Sequence, residues 1–152
     1  MQAMRDSDYQ IPGSWVVDEQ GLCQIAKALC SELSLPAMVH LSGELGAGKT
    51  TFARALLAEM GVSGAVKSPT YTLVESHPTD QGVANHFDLY RLEQPDELEY
   101  LGFADLVADS ILTLIEWPER AAQLLPEPDY RVLFGYAGEL RQVSVQASKT
   151  IP

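Results

Sequence analysis

Histidine and cysteine are scarce in this chain, three of one and two of the other, and basic residues are outnumbered by acidic ones, 10 to 21. Each shortage excludes something. Cys23 and Cys30 stand seven positions apart on an expected helix, which separates them by about 10.5 Å along its axis. A disulfide needs Cα atoms within roughly 7 Å, so these read as free, buried thiols of a kind suited to a reducing compartment. His40, His77 and His86 show no metal-ligand spacing and read as three ordinary histidines. The net charge of −11 repels polyanions, because nucleic-acid affinity rests on Lys and Arg neutralising phosphate. Tight direct contact with RNA or DNA is not expected, although an acidic domain can serve a nucleic-acid pathway through a partner. No apolar run approaches the ~20 residues that cross a bilayer. The opening residues, Met1 to Asp8, lack the apolar stretch of a secretion signal, so the expected location is cytoplasmic.

What is present describes one globular domain. The chain has 152 residues, 46% of them apolar, enough to bury a core. Residues 1–13 read as a frayed arm and 147–152 as a polar tail. Trp15-Val16-Val17 suits a short edge strand. Asp18 suits the N-cap of a helix running to about Ser34, with Leu22, Ile25, Ala26, Leu29 and Leu33 on one face. Met38 to Leu41 reads as a buried strand, and a helix with Phe52, Leu56 and Met60 on one stripe ends at Gly61. Strands are expected near Thr70 to Glu75, Asn85 to Tyr90 and Ile111 to Ile115, with short helices over Gln94 to Gly102 and Pro118 to Leu125. Tyr130 to Tyr136 and Leu140 to Gln146 read as a hairpin around Ala137-Gly138-Glu139. Strand–loop–helix early and hairpins later predict an α/β domain, a mixed parallel and antiparallel sheet flanked by helices.

Between the first buried strand and the second helix lies Gly43-Glu44-Leu45-Gly46-Ala47-Gly48-Lys49-Thr50-Thr51. Gly43, Gly48, Lys49 and Thr50 meet the pattern G-x-x-x-x-G-K-[ST] in its required context. Glycine lets backbone N–H groups close on phosphate oxygens, and the helix that follows adds its positive end. Lys49 suits the β- and γ-phosphates, and the Thr50 hydroxyl suits Mg²⁺. These nine residues are the candidate ATP site.

Such a loop needs a carboxylate near the metal, at the end of a neighbouring strand. Glu116 follows Ile111 to Ile115 and is the preferred metal-proximal acid. Asp88, in His86-Phe87-Asp88-Leu89-Tyr90, is a second acid suited to orienting water or the metal's hydration shell. Trp117 is most simply a partly buried packing residue beside that acid. Ser68 and Thr70, in Lys67-Ser68-Pro69-Thr70-Tyr71-Thr72, stand where switch NTPases sense the γ-phosphate. Three rival classes fit the sequence less well. A small-molecule kinase lacks its lid here, since none of the six arginines pairs with another in a loop. A GTPase lacks its Asn-Lys-x-Asp base reader. A non-catalytic, nucleotide-dependent binding module differs only in whether hydrolysis matters.

The loop, together with Lys67 to Glu75, His86 to Leu92, Glu97 to Gly102 and Glu116-Trp117-Pro118-Glu119, resembles the TsaE family, P-loop ATPases of tRNA threonylcarbamoyladenosine biosynthesis. The likeness runs from about Trp15 to Tyr136. It implies a P-loop NTPase fold and a weak ATPase that depends on partners, the TsaB–TsaD heterodimer. That pair transfers threonylcarbamoyl to adenosine-37 of ANN-decoding tRNAs, so the tRNA is contacted indirectly. By motif it implies ATP and Mg²⁺ as ligands, Thr50 and Glu116 on the metal, and Lys49 on phosphate. It further implies Asp88 as a required acid, Trp117 as an active-site neighbour and Ser68-Pro69-Thr70 as a switch-like loop.

Overall fold

The computed structural model describes residues 5, 8–63 and 73–148. Twelve elements follow one another: β1 (Gly13–Val17), α1 (Glu19–Glu32), β2 (Ala37–Gly43), α2 (Lys49–Glu59), β3 (Val74–Pro78), β4 (Val83–Asp88), α3 (Glu97–Leu101), α4 (Phe103–Ala108), β5 (Leu112–Glu116), a 3₁₀ turn (Pro118–Ala121), β6 (Tyr130–Ala137) and β7 (Leu140–Ala147). The strands form one sheet in the order β1-β7-β6-β2-β5-β4-β3. β6, β2, β5 and β4 run parallel, and β1, β7 and β3 are added antiparallel. This is the expected mixed sheet of a P-loop NTPase fold.

Alternation along the central strands sorts side chains to two faces. Val39 and Leu41 of β2, with Leu112 and Leu114 of β5, join Leu22, Ile25 and Leu29 of α1 and Phe52, Leu56 and Leu57 of α2 in the larger apolar cluster. Met38, Phe87 and Ile115 face the other way, into a smaller cluster with Leu89 and Leu98. α1 begins as expected, with the Asp18 carboxylate accepting from the Gly21 N–H at 2.8 Å. The central strands end together, Leu41 beside Glu116 and Asp88 beside Glu116, and that alignment gathers the candidate site.

Three expectations need correction. The arm is not frayed at its inner end: Tyr9 is 6% exposed, its ring stands edge-to-face on Trp15 at 5.4 Å, and Gly13 already pairs with β7. An aromatic ring at the open end of α1 buries too much apolar surface to stay in water. The tail begins later than expected, since Ala147 closes β7 and the Ser148 N–H donates to the Asp129 carbonyl at 2.9 Å. The thiols of Cys23 and Cys30 are free but only half-buried. A helix was also missed. Gly102, at φ 81°, ends α3 and starts α4, whose Phe103 and Leu106 lie half-buried on the smaller cluster. Among the described residues, no helix is long and apolar enough to cross a membrane.

Candidate functional site

β2 stops at Gly43 and α2 starts at Lys49, so residues 44–48 join a buried strand to a helix with one buried face. Gly48 takes φ 115° at the helix N-cap, and a Cβ there would lie 2.8 Å from Leu22 Cδ2. α1 therefore packs directly on the loop, and only glycine fits both the angle and the space. Ala47 points inward and is fully buried, whereas Leu45 is 66% exposed at the tip. From β6 the Tyr136 hydroxyl donates to the Leu45 carbonyl at 2.7 Å, and the Arg141 guanidinium lies 4.6 Å from the Tyr136 ring centre. Tyr136 is a brace that the sequence reading missed, because strand alternation says only which way such a side chain faces.

Lys49 is buried, and its ammonium donates to the Gly43 carbonyl and, at 2.8 Å, to that of Glu44. It also lies 4.3 Å from the centre of the Trp117 ring. Burial pushes its pKa down, while Glu116, Glu119, Asp88 and Glu44 pull it back up.

Glu116 is the hub of the acid end. It is 2% exposed, and its two carboxylate oxygens lie 3.2 and 3.3 Å from the donating Thr50 hydroxyl. Its Oε2 is 2.6 Å from His86 Nε2. A carboxylate only accepts, so the proton of that bond belongs to His86 Nε2. The reading of His86 as ordinary is thus corrected: it is fully buried and aimed at the candidate metal acid. A signal existed, since residues two apart on a strand share a face and His86 precedes Asp88 by two. Asp88 is half-buried and its Oδ1 accepts from the Tyr90 N–H at 3.0 Å. Burial pushes its pKa up; the Tyr90 N–H opposes that, and the nearby Glu116 adds to it.

Trp117 is half-buried against the smaller cluster, as expected of a packing residue, but it also closes the site. Its ring lies 5.0 Å from that of Tyr90 and beneath the Lys49 ammonium. It takes φ 60° and ψ 48°, alone among described non-glycine residues in having a positive φ. Holding a tryptophan there costs about 1–3 kcal/mol. Ser68 and Thr70 lie outside the described residues.

Lys49, Thr50, Asp88, Glu116 and Trp117 are therefore brought together at one end of the sheet. The donor set fits Mg²⁺: a hydroxyl and a carboxylate converge, both hard oxygens. No group of three or more His, Cys, Asp or Glu among the described residues can hold a metal. Mg²⁺ characteristically completes its shell with water and substrate phosphates instead. The loop fits phosphate, with the open N-terminal end of an 11-residue helix and a buried ammonium beside it.

Comparison with known proteins bears on the family and the fold. Residues 16–143 match the family model described as threonylcarbamoyl adenosine biosynthesis protein TsaE. A Haemophilus influenzae protein named tRNA threonylcarbamoyladenosine biosynthesis protein TsaE is 45% identical over 114 residues, covering 75% of this chain and 72% of its own. A Streptomyces coelicolor protein of the same name is 38% identical over 130 residues, covering 80% and 87%. The crystal structure of YdiB from Bacillus subtilis superposes with a TM-score of 0.74 at 25% identity, covering 90% of this chain and 86% of that one.

Proposed function

This chain belongs to the TsaE family of threonylcarbamoyl adenosine biosynthesis proteins, and from that premise we propose that it is a magnesium-dependent ATPase serving threonylcarbamoyladenosine modification of tRNA. It hydrolyses ATP to ADP and phosphate, weakly alone, and acts with the TsaB–TsaD heterodimer on adenosine-37 of ANN-decoding tRNAs. Its site of action is the cytoplasm, and the tRNA is held by the partners, in keeping with the net charge of −11.

The observation that carries the reading is the Thr50–Glu116 contact at the mouth of the phosphate loop. The loop N–H groups from Gly43 to Thr51 and the Lys49 ammonium hold the phosphates. Thr50 and Glu116 would hold Mg²⁺, which supplies charge neutralisation on the phosphate oxygens. His86 fixes the Glu116 carboxylate through its Nε2–H. Asp88 accepts from and orients the attacking water; a carboxylate whose pKa is raised by burial is a better base than a solvated one. Ser68 and Thr70 are assigned to γ-phosphate sensing and Trp117 to the wall under Lys49.

The test is co-purification and ATP hydrolysis with the TsaB–TsaD pair. The wild-type chain is expected to associate and to hydrolyse ATP faster with the pair than alone. Lys49→Ala is expected to lose on the order of a hundredfold in turnover while staying folded. No association in either ATP or ADP would sink the assignment.

A further inference from the structure

Arg120 stands in an acidic corner of the molecule and pairs with none of its acids. Glu119 precedes it, and Asp88 and Glu116 end neighbouring strands. Those carboxylates are engaged elsewhere: Glu119 Oε2 accepts from the Ser42 hydroxyl at 3.3 Å, Glu116 from Thr50 and His86, and Asp88 from the Tyr90 N–H. Among the described residues no carboxylate lies within ion-pair distance of the Arg120 guanidinium, and none of its N–H groups makes a hydrogen bond.

Arg120 lies on aromatic rings instead. Its Cζ is 5.6 Å from the centre of the Tyr90 ring and 5.9 Å from that of Trp117, inside the roughly 6 Å reach of a cation–π contact. The two rings stand 5.0 Å apart, tilted by 47°, and form a shelf. A stacked guanidinium keeps its five donors at the rim of its plane, open to an acceptor. The backbone explains the placement. Trp117, in its left-handed conformation, turns the chain back at the end of β5, and the Arg120 N–H donates to the Trp117 carbonyl at 3.1 Å. The strain at Trp117 thus has a consequence: it ties Arg120 to the strand end that carries Glu116. The same Trp117 ring carries the Lys49 ammonium, 4.3 Å from its centre. The phosphate lysine and Arg120 therefore share one ring, and rotation of the arginine's flexible stem spans the gap between them.

We propose that Arg120 is a further catalytic residue of the ATP site, whose guanidinium leaves the aromatic shelf and donates to the γ-phosphate oxygens as they gain charge. The proposal rests on the ATPase reading above. In hydrolysis the water oxygen bonds to the γ-phosphorus and a water proton passes to Asp88. The bond from phosphorus to the bridging oxygen breaks, and its electron pair leaves on ADP. Lys49 is one cation set against the charge that develops, and Arg120 is the second. A planar fork suits two phosphate oxygens at once, which a lysine does not. ADP has no γ-phosphate, so Arg120 is indifferent to it.

The test is calorimetric titration of the whole chain, with Mg²⁺ and without partners, by ADP and by ADP with aluminium fluoride, which mimics the phosphoryl group in transfer. Single-turnover hydrolysis of ATP is measured beside it. Wild type is expected to bind ADP more tightly with the fluoride than without. Arg120→Gln, at an exposed position, should leave the Tm unchanged and the ADP affinity within about twofold, while weakening the fluoride complex and slowing turnover by about a hundredfold. Arg120→Lys should recover only part of the loss. The ratio of variant to wild type should persist in about 1 M salt, where charges are screened beyond roughly 3 Å, because it arises from contact. Turnover in Arg120→Gln equal to wild type, or a loss that salt abolishes, overturns the proposal and leaves the ATPase reading standing. So does a loss shared equally by ADP, which would make Arg120 a contact of the bound product. A wild-type chain that binds ADP but neither takes up the fluoride nor hydrolyses ATP overturns both.

Discussion

The phosphate loop of residues 43–51 and the acidic strand ends at Asp88 and Glu116 meet at Thr50, yet different forces hold them. The loop is set by backbone angle and close packing, Gly48 at φ 115° over Leu22 and Ala47 buried, with its main-chain carbonyls tied by Tyr136 and Lys49. The acid end is set by side-chain hydrogen bonds and tolerated strain: Thr50 and His86 on Glu116, and Trp117 in the left-handed region before a proline. The loop's shape should therefore be lost by adding atoms, and that of the acid end by removing polar ones.

The largest expected effect is at the acid end. Glu116→Ala should weaken Mg²⁺-dependent nucleotide binding by about a hundredfold, or about 3 kcal/mol, and strand His86 Nε2 without its acceptor. Asp88→Ala should cost no more than about tenfold in the same calorimetric titration, because Asp88 is half-exposed and is not bonded to Thr50. Equal losses, or the reverse order, would mean that the metal ligand is misassigned and that the two acids share one role.

At Gly48 of the loop the expected effect is smaller and of another kind. Gly48→Ala forces a Cβ to 2.8 Å from Leu22 Cδ2 at φ 115°, which should lower unfolding free energy by about 2 kcal/mol in urea. Nucleotide affinity should fall with it, since the same angle aims the loop. Leu22→Ala in the same background should recover part of the loss by making room. If it recovers nothing, the backbone angle alone sets the loop and close packing against α1 does not.

The contrast also explains what could be read from the chain. The loop is legible because its physics is local: glycine, lysine and threonine at fixed offsets between an apolar strand and an apolar-striped helix. Glu116 is legible for a similar reason, as a carboxylate directly after a buried run. His86 is harder, because its partner lies 30 residues away and only the parallel register of β4 and β5 unites them. Tyr136 is harder still, since its target is a carbonyl 91 residues distant. α4 is hidden by Gly102, which reads as a stop but is both stop and start. What depends on angle and spacing along the chain is visible early, and what depends on strand pairing is not.

The smallest effect concerns what the acid end gives up for its function. Burial raises the folded pKa of Asp88 above its ordinary 3.8. Below 3.8 the carboxyl is protonated in both folded and unfolded chains and contributes nothing. As pH rises from 3.8 to the raised folded value, the unfolded chain loses its proton first, so stability falls; above that value the deficit is constant. Asp88→Asn keeps an oxygen to accept from the Tyr90 N–H and carries no charge to bury. It should therefore unfold at a higher temperature than wild type at neutral pH, by less than about 1 kcal/mol, because solvent screens this half-exposed carboxylate. The gap should close as pH drops below 3.8, while ATP turnover stays impaired throughout. Calorimetric melts of both proteins from pH 3 to 8 (roughly the carboxylate range and above) would decide it. A gap that persists in acid would locate the gain in packing, and a variant less stable than wild type at neutral pH would mean that Asp88 is held favourably as an anion, making the acid end as relaxed as the loop it faces.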